Sequence, residues 1–152
     1  MSAVDTLDEA LLASYLEANI EEFKGPLTAS KFAGGQSNPT FKIDAASGSY
    51  VLRRQPPGKL LKSAHAVDRE YRVLAALADT DVPVAKVYHL CEDSDVIGSM
   101  FYIMEFCEGN VHWESSLEDI SSNQLRAKMY DEMSRVMAAI HSVDLDKVGL
   151  SD

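Results

Sequence analysis

A glycine-rich segment between two strand-like runs constrains the fold of this chain more than any other feature. Residues 32–44 read FAGGQSNPTFKID, in which two glycines, a Ser-Asn-Pro step and a threonine interrupt two short strands. Two adjacent strands need only a two-residue turn, so this longer polar loop needs another explanation. Gly34 and Gly35 let backbone N–H groups close around an anion, and Ser37 and Asn38 add hydrogen-bond donors. The segment therefore predicts an anion-binding loop.

The loop differs from two common phosphate-binding motifs. It lacks the Gly-x-Gly-x-x-Gly pattern of a dinucleotide-binding fingerprint. It also leads into a strand, whereas a P-loop ends in Gly-Lys-Ser/Thr and opens a helix. Taken alone, the segment is equally compatible with a polar hairpin that binds nothing, so the elements around it decide the interpretation.

Composition and charge exclude several classes of protein. The 152 residues are 46% hydrophobic and 25% charged, as in ordinary globular domains, and no apolar run is long enough for a membrane helix. The N-terminus lacks the basic and apolar parts of a signal peptide, and two cysteines without metal-ligand spacing indicate reduced thiols in the cytoplasm. The four histidines are scattered, so no metal site is expected. A net charge of −10 argues against nucleic-acid and membrane partners.

Charge is distributed unevenly along the chain. Residues 31–72 contain eight Lys and Arg side chains against three acidic ones, whereas residues 87–125 contain eight acidic side chains and no Lys or Arg. A basic segment within an acidic protein indicates a small anionic ligand, although an unevenly charged solvated surface explains the same distribution.

The apolar pattern predicts an α+β chain in the order helix, three strands, helix, two strands, helix. A capping box at Thr6 and Glu9 begins the first helix, and residues 63–78 form the second. A second capping box, at Ser121 and Gln124, begins the last helix. That helix has a continuous apolar stripe, formed by Leu125, Met129, Met133, Val136, Met137 and Ile140.

A buried ion pair is predicted between the third strand and the second helix. Glu70 lies beside the apolar face of its helix, and none of its i±3 or i±4 neighbours is basic. A carboxylate near apolar groups needs a counter-charge from another element. Arg53, on the same strand face as Val51, supplies one. The alternative is two solvated charges at the edges of their elements.

These features occur in the order in which protein-kinase-like folds hold ATP: a Gly-rich loop between strands, a strand with an inward cation, then a helix with an acidic partner. The chain resembles the aminoglycoside-phosphotransferase-like kinases, in particular the branch that is also fused to acyl-CoA dehydrogenases. The resemblance lies in the runs FAGGQSNPTFKI, YVLRRQPPG, DREYRVLAAL, VPVAKVYHLCED, GSMFYIMEFCEG and MAAIHSVDLDKVGL.

The resemblance implies a protein-kinase-like N-lobe: a five-stranded antiparallel sheet with one helix between its third and fourth strands. It divides the chain into an N-terminal helical segment (1–27), the N-lobe (28–109) and the start of a truncated helical C-lobe (110–152). Arg53 takes the place of the usual Lys at the α/β-phosphates, with Glu70 as its partner. The implied nucleotide contacts are Gly34, Gly35, Gln36, Ser37, Asn38, Val51, Arg53, Glu70, Met104, Glu105, Phe106 and Cys107.

The run FYIMEFCEG corresponds by resemblance to the hinge that binds adenine. Met104 would lie at the back of the adenine pocket. The Glu105 carbonyl would accept a hydrogen bond from the adenine amino group, and the Cys107 N–H would donate one to the ring.

The residues that complete phosphoryl transfer are absent from this sequence. The family's His-Gly-Asp loop with its following Asn does not occur, nor does a triplet like Asp-Phe-Gly, and the HSVD run at 141–144 has no Asn after it. His141 is expected to close the last helix. We therefore expect an inactive ATP-binding portion, with Mg²⁺ bound only in the full-length enzyme. An apolar stripe left without further helices is expected to form a homodimer interface.

Two functions from different classes remain open. The first is the ATP-binding portion of a small-molecule kinase that transfers a phosphoryl group from ATP to a substrate hydroxyl. The branch resemblance suggests a hydroxyacyl-CoA as that substrate. The second is a non-catalytic module that binds a nucleotide or a protein partner.

Overall fold

Eight helices and strands make up the chain in the computed structural model, which describes residues 7–33, 38–56, 58 and 65–152. In chain order they are α1 (Glu9–Asn19), β1 (Leu27–Lys31), β2 (Thr40–Ala45), β3 (Gly48–Arg54), α2 (Val67–Leu77), β4 (Val87–Cys91), β5 (Phe101–Glu105) and α3 (Asn123–His141). This is the α+β order predicted from the apolar pattern. The chain divides into two compact units, Met1–Ala75 with Ala85–Phe106, and Ala76–Val84 with Cys107–Asp152.

The five strands form one antiparallel sheet in the order β1-β2-β3-β5-β4. The single helix α2 lies between β3 and β4 in the chain, as the resemblance implied. Strand β3 is central, so Arg53 has Thr40 of β2 as its partner on one side and Tyr102 of β5 on the other. A cation on this strand is therefore held between two neighbours.

Alternation along the strands gives the sheet two different faces. One face packs into the hydrophobic core together with α1, whose Leu12 and Leu16 are fully buried. The strand residues on this face are Phe41, Ile43, Tyr50, Leu52, Phe101 and Ile103. The opposite face presents Val51 and Arg53 of β3 and Tyr102 and Met104 of β5. The second face, which α1 does not cover, carries the cavity described below.

The start of α1 differs from the predicted capping box. Asp8 is the N-cap, and its side chain accepts a hydrogen bond from the Leu11 N–H at 3.0 Å. In a capping box the Glu lies three residues after the N-cap. Glu9 directly follows the N-cap Asp8, so it cannot close a capping box. Glu9 instead accepts from the Ala29 N–H of β1 at 2.8 Å, which joins α1 to the sheet. Thr6 lies outside the described residues.

Helices α2 and α3 also begin later than predicted. Helix α2 starts at Val67, and His65 just before it has a left-handed φ of 59°; residues 63 and 64 of the predicted helix lie outside the described residues. In α3 the N-cap is Ser122, which accepts from the Leu125 N–H at 3.2 Å, so the prediction of Ser121 is wrong by one residue. The helix ends at His141, as predicted.

Helix α3 has an uncovered apolar face. It contains no buried residue, and its large side chains Leu125, Met133, Met137 and Ile140 are 46–61% exposed. The predicted exposure of the stripe is confirmed for these four residues, while Met129 and Val136 are partly buried. None of the helices in the described part of the chain has the length and apolarity needed to cross a bilayer.

Candidate functional site

An open cavity of about 1010 Å³ lies on the sheet face opposite the core. Its walls come from the residue before β2, from β3 and β5, and from α2 with the turn that precedes it. The lining residues are Asn38, Arg53, His65, Ala66, Arg69, Glu70, Val73, Leu74, Tyr102 and Met104. A concave site of this size, mainly apolar with a few convergent polar groups, is typical of small-molecule binding.

The ion pair predicted between Arg53 and Glu70 is present in this cavity. Arg53 Nε donates to Glu70 Oε2 at 2.6 Å, and Arg53 Nη2 donates to Glu70 Oε1 at 3.4 Å. The pair is not buried as predicted, because the two side chains are 30% and 35% exposed. They line an open cavity rather than the core. A ligand can therefore reach the guanidinium without breaking the pair.

Glu70 accepts hydrogen bonds from three side chains on three different parts of the fold. Besides Arg53, the Asn38 amide donates to Oε1 at 2.9 Å and the Tyr102 hydroxyl donates to Oε2 at 3.1 Å. Burial and the negative charge of Glu70 raise the pKa of Tyr102, so its hydroxyl keeps the proton that it donates. The carboxylate is thus fixed in position before any ligand arrives.

The other end of the Arg53 guanidinium is held by β2. Its Nη1 donates to Thr40 Oγ1 at 3.1 Å, and the Thr40 hydroxyl in turn donates to the Asn38 carbonyl at 3.1 Å. A guanidinium has five N–H groups, and three of them are used by Glu70 and Thr40. Two N–H groups therefore have no partner among the described residues, and these can bind an anion.

The structure brings together only part of the predicted nucleotide contacts. Asn38, Arg53, Glu70 and Met104 line the cavity, whereas Gly34, Gly35, Gln36 and Ser37 lie outside the described residues. The cavity lining does not include Val51, Glu105, Phe106 or Cys107. Val51 is buried on the same sheet face as Arg53, and the Phe106 ring lies 4.8 Å from Lys42 Nζ. Glu105 pairs with Lys86, whose N–H donates to its carboxylate at 3.3 Å.

Three residues that hold the Arg53–Glu70 pair or its partner Asn38 were not predicted from the sequence. Tyr102 lies two residues before Met104 and therefore shares its strand face, so alternation on β5 was a usable signal. Thr40 directly faces Arg53 on β2, but only the strand register reveals this. His65, whose Nδ1 lies 2.8 Å from Asn38 Oδ1, precedes the helix and had no pattern to identify it.

Comparison with known proteins agrees with this fold and cavity. Residues 28–152 match the family described as "Phosphotransferase enzyme family". A solved structure from Ralstonia eutropha JMP134, described as "a putative aminoglycoside phosphotransferase", superposes with a TM-score of 0.82 and 48% sequence identity. The match covers 97% of this chain and 42% of that one. The fold is therefore that of a kinase-like phosphotransferase domain.

Curated relatives extend the comparison to much longer proteins. "Probable acyl-CoA dehydrogenase IBR3" of Arabidopsis thaliana is 50% identical over 137 residues, which is 87% of this chain and 16% of that protein. Mouse "Acyl-CoA dehydrogenase family member 10" is 46% identical, with 83% of this chain and 12% of that protein covered. Mouse "Acyl-CoA dehydrogenase family member 11" is 40% identical, with 93% and 19% covered. The chain belongs to the phosphotransferase enzyme family, and these relatives confirm the resemblance to the branch fused to acyl-CoA dehydrogenases. The chain spans less than a fifth of the length of each of the three.

Proposed function

We propose that this chain is the ATP-binding portion of a small-molecule kinase that phosphorylates a substrate hydroxyl. The observation that best supports the proposal is the Arg53–Glu70 pair, which lines a cavity large enough for a nucleotide and leaves two guanidinium N–H groups without a partner among the described residues. On this proposal residues 1–27 are a helical segment, residues 28–109 form the N-lobe and residues 110–152 begin the C-lobe.

In the proposed complex, Arg53 binds the nucleotide phosphates. A guanidinium forms two parallel hydrogen bonds to phosphate oxygens, and its pairing with Glu70 keeps that planar fork from turning away. Gly34, Gly35, Gln36 and Ser37 would add donors from the loop, an assignment that rests on the resemblance. ATP supplies the transferable phosphoryl group when it is bound.

The apolar part of the cavity would accept the base. Met104, Val73 and Leu74 line this part of the cavity. The contacts assigned to Val51, Glu105, Phe106 and Cys107 rest on the resemblance alone. Among the described residues no group of three or more His, Cys, Asp or Glu side chains could hold a metal ion, so we assign no Mg²⁺ ligand within them.

The acceptor proposal comes from the relatives. Several are named as acyl-CoA dehydrogenases, which suggests an acyl-CoA substrate. A hydroxyacyl-CoA is an acyl-CoA that also has a hydroxyl group for a kinase to phosphorylate. The sequence lacks the catalytic Asp and Asn of phosphoryl transfer, so we expect this chain alone to bind nucleotide without turnover. The alternative function, a non-catalytic binding module, also predicts nucleotide binding without turnover. A longer form of the protein that phosphorylates a hydroxyacyl-CoA would favour the kinase.

Isothermal titration with Mg-ATP and with ADP tests nucleotide binding directly. We expect Arg53→Ala and Glu70→Ala to weaken binding by about 10- to 100-fold, because a hydrogen bond to a charged group contributes roughly 1.5–3 kcal/mol. Arg135→Ala is the matched control, since it also removes an arginine from an ion pair, there with Glu132 on the exposed surface of α3. Equal affinities in all four proteins would refute the proposed site.

A further inference from the structure

We propose that Asn38 is a positioning residue for the nucleotide site, acting through Glu70 on Arg53 rather than by contacting the ligand. The inference rests on the proposed function, because it concerns how the same cavity is prepared for an anion. Asn38 is only 4% exposed, although it adjoins the glycine-rich loop. A polar side chain buried to this extent needs internal partners, and Asn38 has one for each end of its amide.

The orientation of the Asn38 amide follows from the chemistry of its neighbours. A carboxylate paired with a guanidinium accepts hydrogen bonds, so the amide atom 2.9 Å from Glu70 Oε1 is the Nδ2 donor. The opposite atom, Oδ1, is an acceptor and lies 2.8 Å from His65 Nδ1. His65 must therefore hold a proton on Nδ1 and donate it. Free histidine in water favours the proton on Nε2, so Asn38 selects the less common tautomer.

Asn38 also decides how the Glu70 carboxylate is shared. Oε2 accepts from Arg53 Nε and the Tyr102 hydroxyl, while Oε1 accepts from the Asn38 amide and more weakly from Arg53 Nη2. Without the Asn38 amide, the Oε1 side keeps only the long 3.4 Å contact. The carboxylate would then be held mainly through Oε2, and the Arg53 guanidinium, although still bonded to Thr40 through Nη1, would be held less firmly on its Glu70 side. The direction of the N–H groups available for an anion would be less well fixed.

The same residue joins the end of the glycine-rich loop to helix α2. Its side chain reaches His65 before the helix and Glu70 within it, and its carbonyl accepts from Thr40 at the start of β2. The chain immediately after the loop and the first turn of α2 are therefore tied to one amide. Both ends of the Asn38 amide are bonded to protein groups, although the residue lines the cavity.

A double-mutant cycle on nucleotide affinity tests the role. In the wild-type background, Asn38→Ala is expected to weaken ADP binding by roughly 3- to 10-fold, since one hydrogen bond to a charged group is lost. In the Glu70→Ala background the same substitution should have no further effect, because the residue through which Asn38 acts is absent. A direct ligand contact predicts the same loss in both backgrounds, and that result would overturn the proposal. So would full affinity in the single variant.

Nuclear magnetic resonance of the ligand-free protein supplies a second readout. Long-range proton–nitrogen correlation spectra should show His65 protonated on Nδ1 in the wild type and shifted towards Nε2–H in Asn38→Ala. Asn38→Asp keeps the acceptor for His65 but loses the donor to Glu70. It should keep the tautomer while changing the Arg53 Nε–H resonance. Asn19→Ala, which removes an exposed amide bonded to the Tyr15 carbonyl, is the control and should change neither signal.

Failure of the proposed function and failure of the positioning role of Asn38 give different results. If the wild type binds no nucleotide, the proposed function fails and the spectra decide the positioning role by themselves. Unchanged His65 and Arg53 signals in Asn38→Ala would then overturn it. If Asn38→Ala does not fold, Asn38→Ser takes its place in the cycle, because its short side chain also lacks the donor to Glu70, with the same expected loss of affinity in the wild-type background only.

Discussion

Arg53 and Arg54 are adjacent in β3, yet they have opposite environments. Arg53 lines the cavity with a carboxylate partner, and two of its N–H groups have no partner in the part of the chain that the structure describes. Arg54 lies on the other face, is 3% exposed and donates from Nε to Ser99 Oγ at 2.9 Å. Burial lowers the pKa of Arg54. At the residue scale, the site therefore depends on which of two identical side chains points to the cavity.

His89 gives the fold a pH-dependent stability. The Tyr15 hydroxyl lies 2.9 Å from His89 Nε2, burial raises the pKa of Tyr15 to about 12, and burial lowers the pKa of His89. Tyr15 therefore donates to a neutral imidazole. In the unfolded chain His89 binds a proton near its ordinary pKa of about 6.5, which is higher than in the folded protein. This contribution to the free energy of unfolding is present above that pH and is lost as the pH falls through the folded pKa.

Urea unfolding at about pH 5 and about pH 8 measures this effect, which cannot exceed about 1.4 kcal/mol per pH unit for one group. His89→Gln keeps an acceptor for Tyr15 without titrating, so it should show a smaller difference between the two pH values than the wild type. His141→Gln is the control at an exposed histidine and should keep the wild-type difference. Identical pH dependence in His89→Gln and the wild type would contradict the assignment.

Prediction at the residue scale succeeded only in part where strand alternation applied. Alternation placed Arg53 on the same face as Val51, and the unpaired Glu70 then identified its partner, but that face was taken for the core and the pair was expected to be buried. Tyr102 could have been found by the same argument on β5. Asn38 and His65 could not, because their contact joins a loop end to a turn and no periodicity describes either.

At the scale of elements, helix starts were harder to predict than helix existence. The serines at 121 and 122 both have a hydroxyl that could cap α3, and the sequence does not say which of them adopts extended backbone angles. In the structure it is Ser122, with φ −84° and ψ 115°. The stripe from Leu125 onwards defined the helix itself, because its period depends on many residues rather than on one.

Substitution of the two serines separates the observed cap from the predicted one. Ser122→Ala should reduce the stability of the first turn of α3 by about 1 kcal/mol, because the Leu125 N–H loses its acceptor. Ser121→Ala should change it by less than about 0.5 kcal/mol. Hydrogen exchange at the Leu125 amide reports the difference. Equal exchange rates in the two variants would show that the cap is misassigned.

At the scale of the whole molecule, stability is expected to differ between parts of the chain. The sheet and α1 share a core of fully buried side chains, whereas α3 has none. Amides in β2, β3 and β5 should therefore exchange only on global unfolding, while those of α3 exchange through local opening. Native-state hydrogen exchange at low protein concentration measures both. Protection of α3 equal to that of β3 would contradict this expectation.

The same experiment tests the predicted homodimer. If a second copy covers the apolar face of α3, protection of its amides should rise with protein concentration while that of the sheet stays constant. Met133→Lys should abolish the rise, and Lys147→Ala, at an exposed position outside the stripe, should not. Light scattering that shows a monomer throughout the micromolar range would rule the dimer out.

The central place of β3 in the sheet also limits how such a domain can evolve or be redesigned. Every side chain on this strand has its direction set by hydrogen bonds to β2 and β5, and moving the strand by one position would turn Leu52 away from the core together with the guanidinium. A single inserted or deleted residue in the Ala45–Gly48 hairpin could not shift the cavity-facing cation alone. A change that relocates this cation along the strand would also cost the hydrophobic interior.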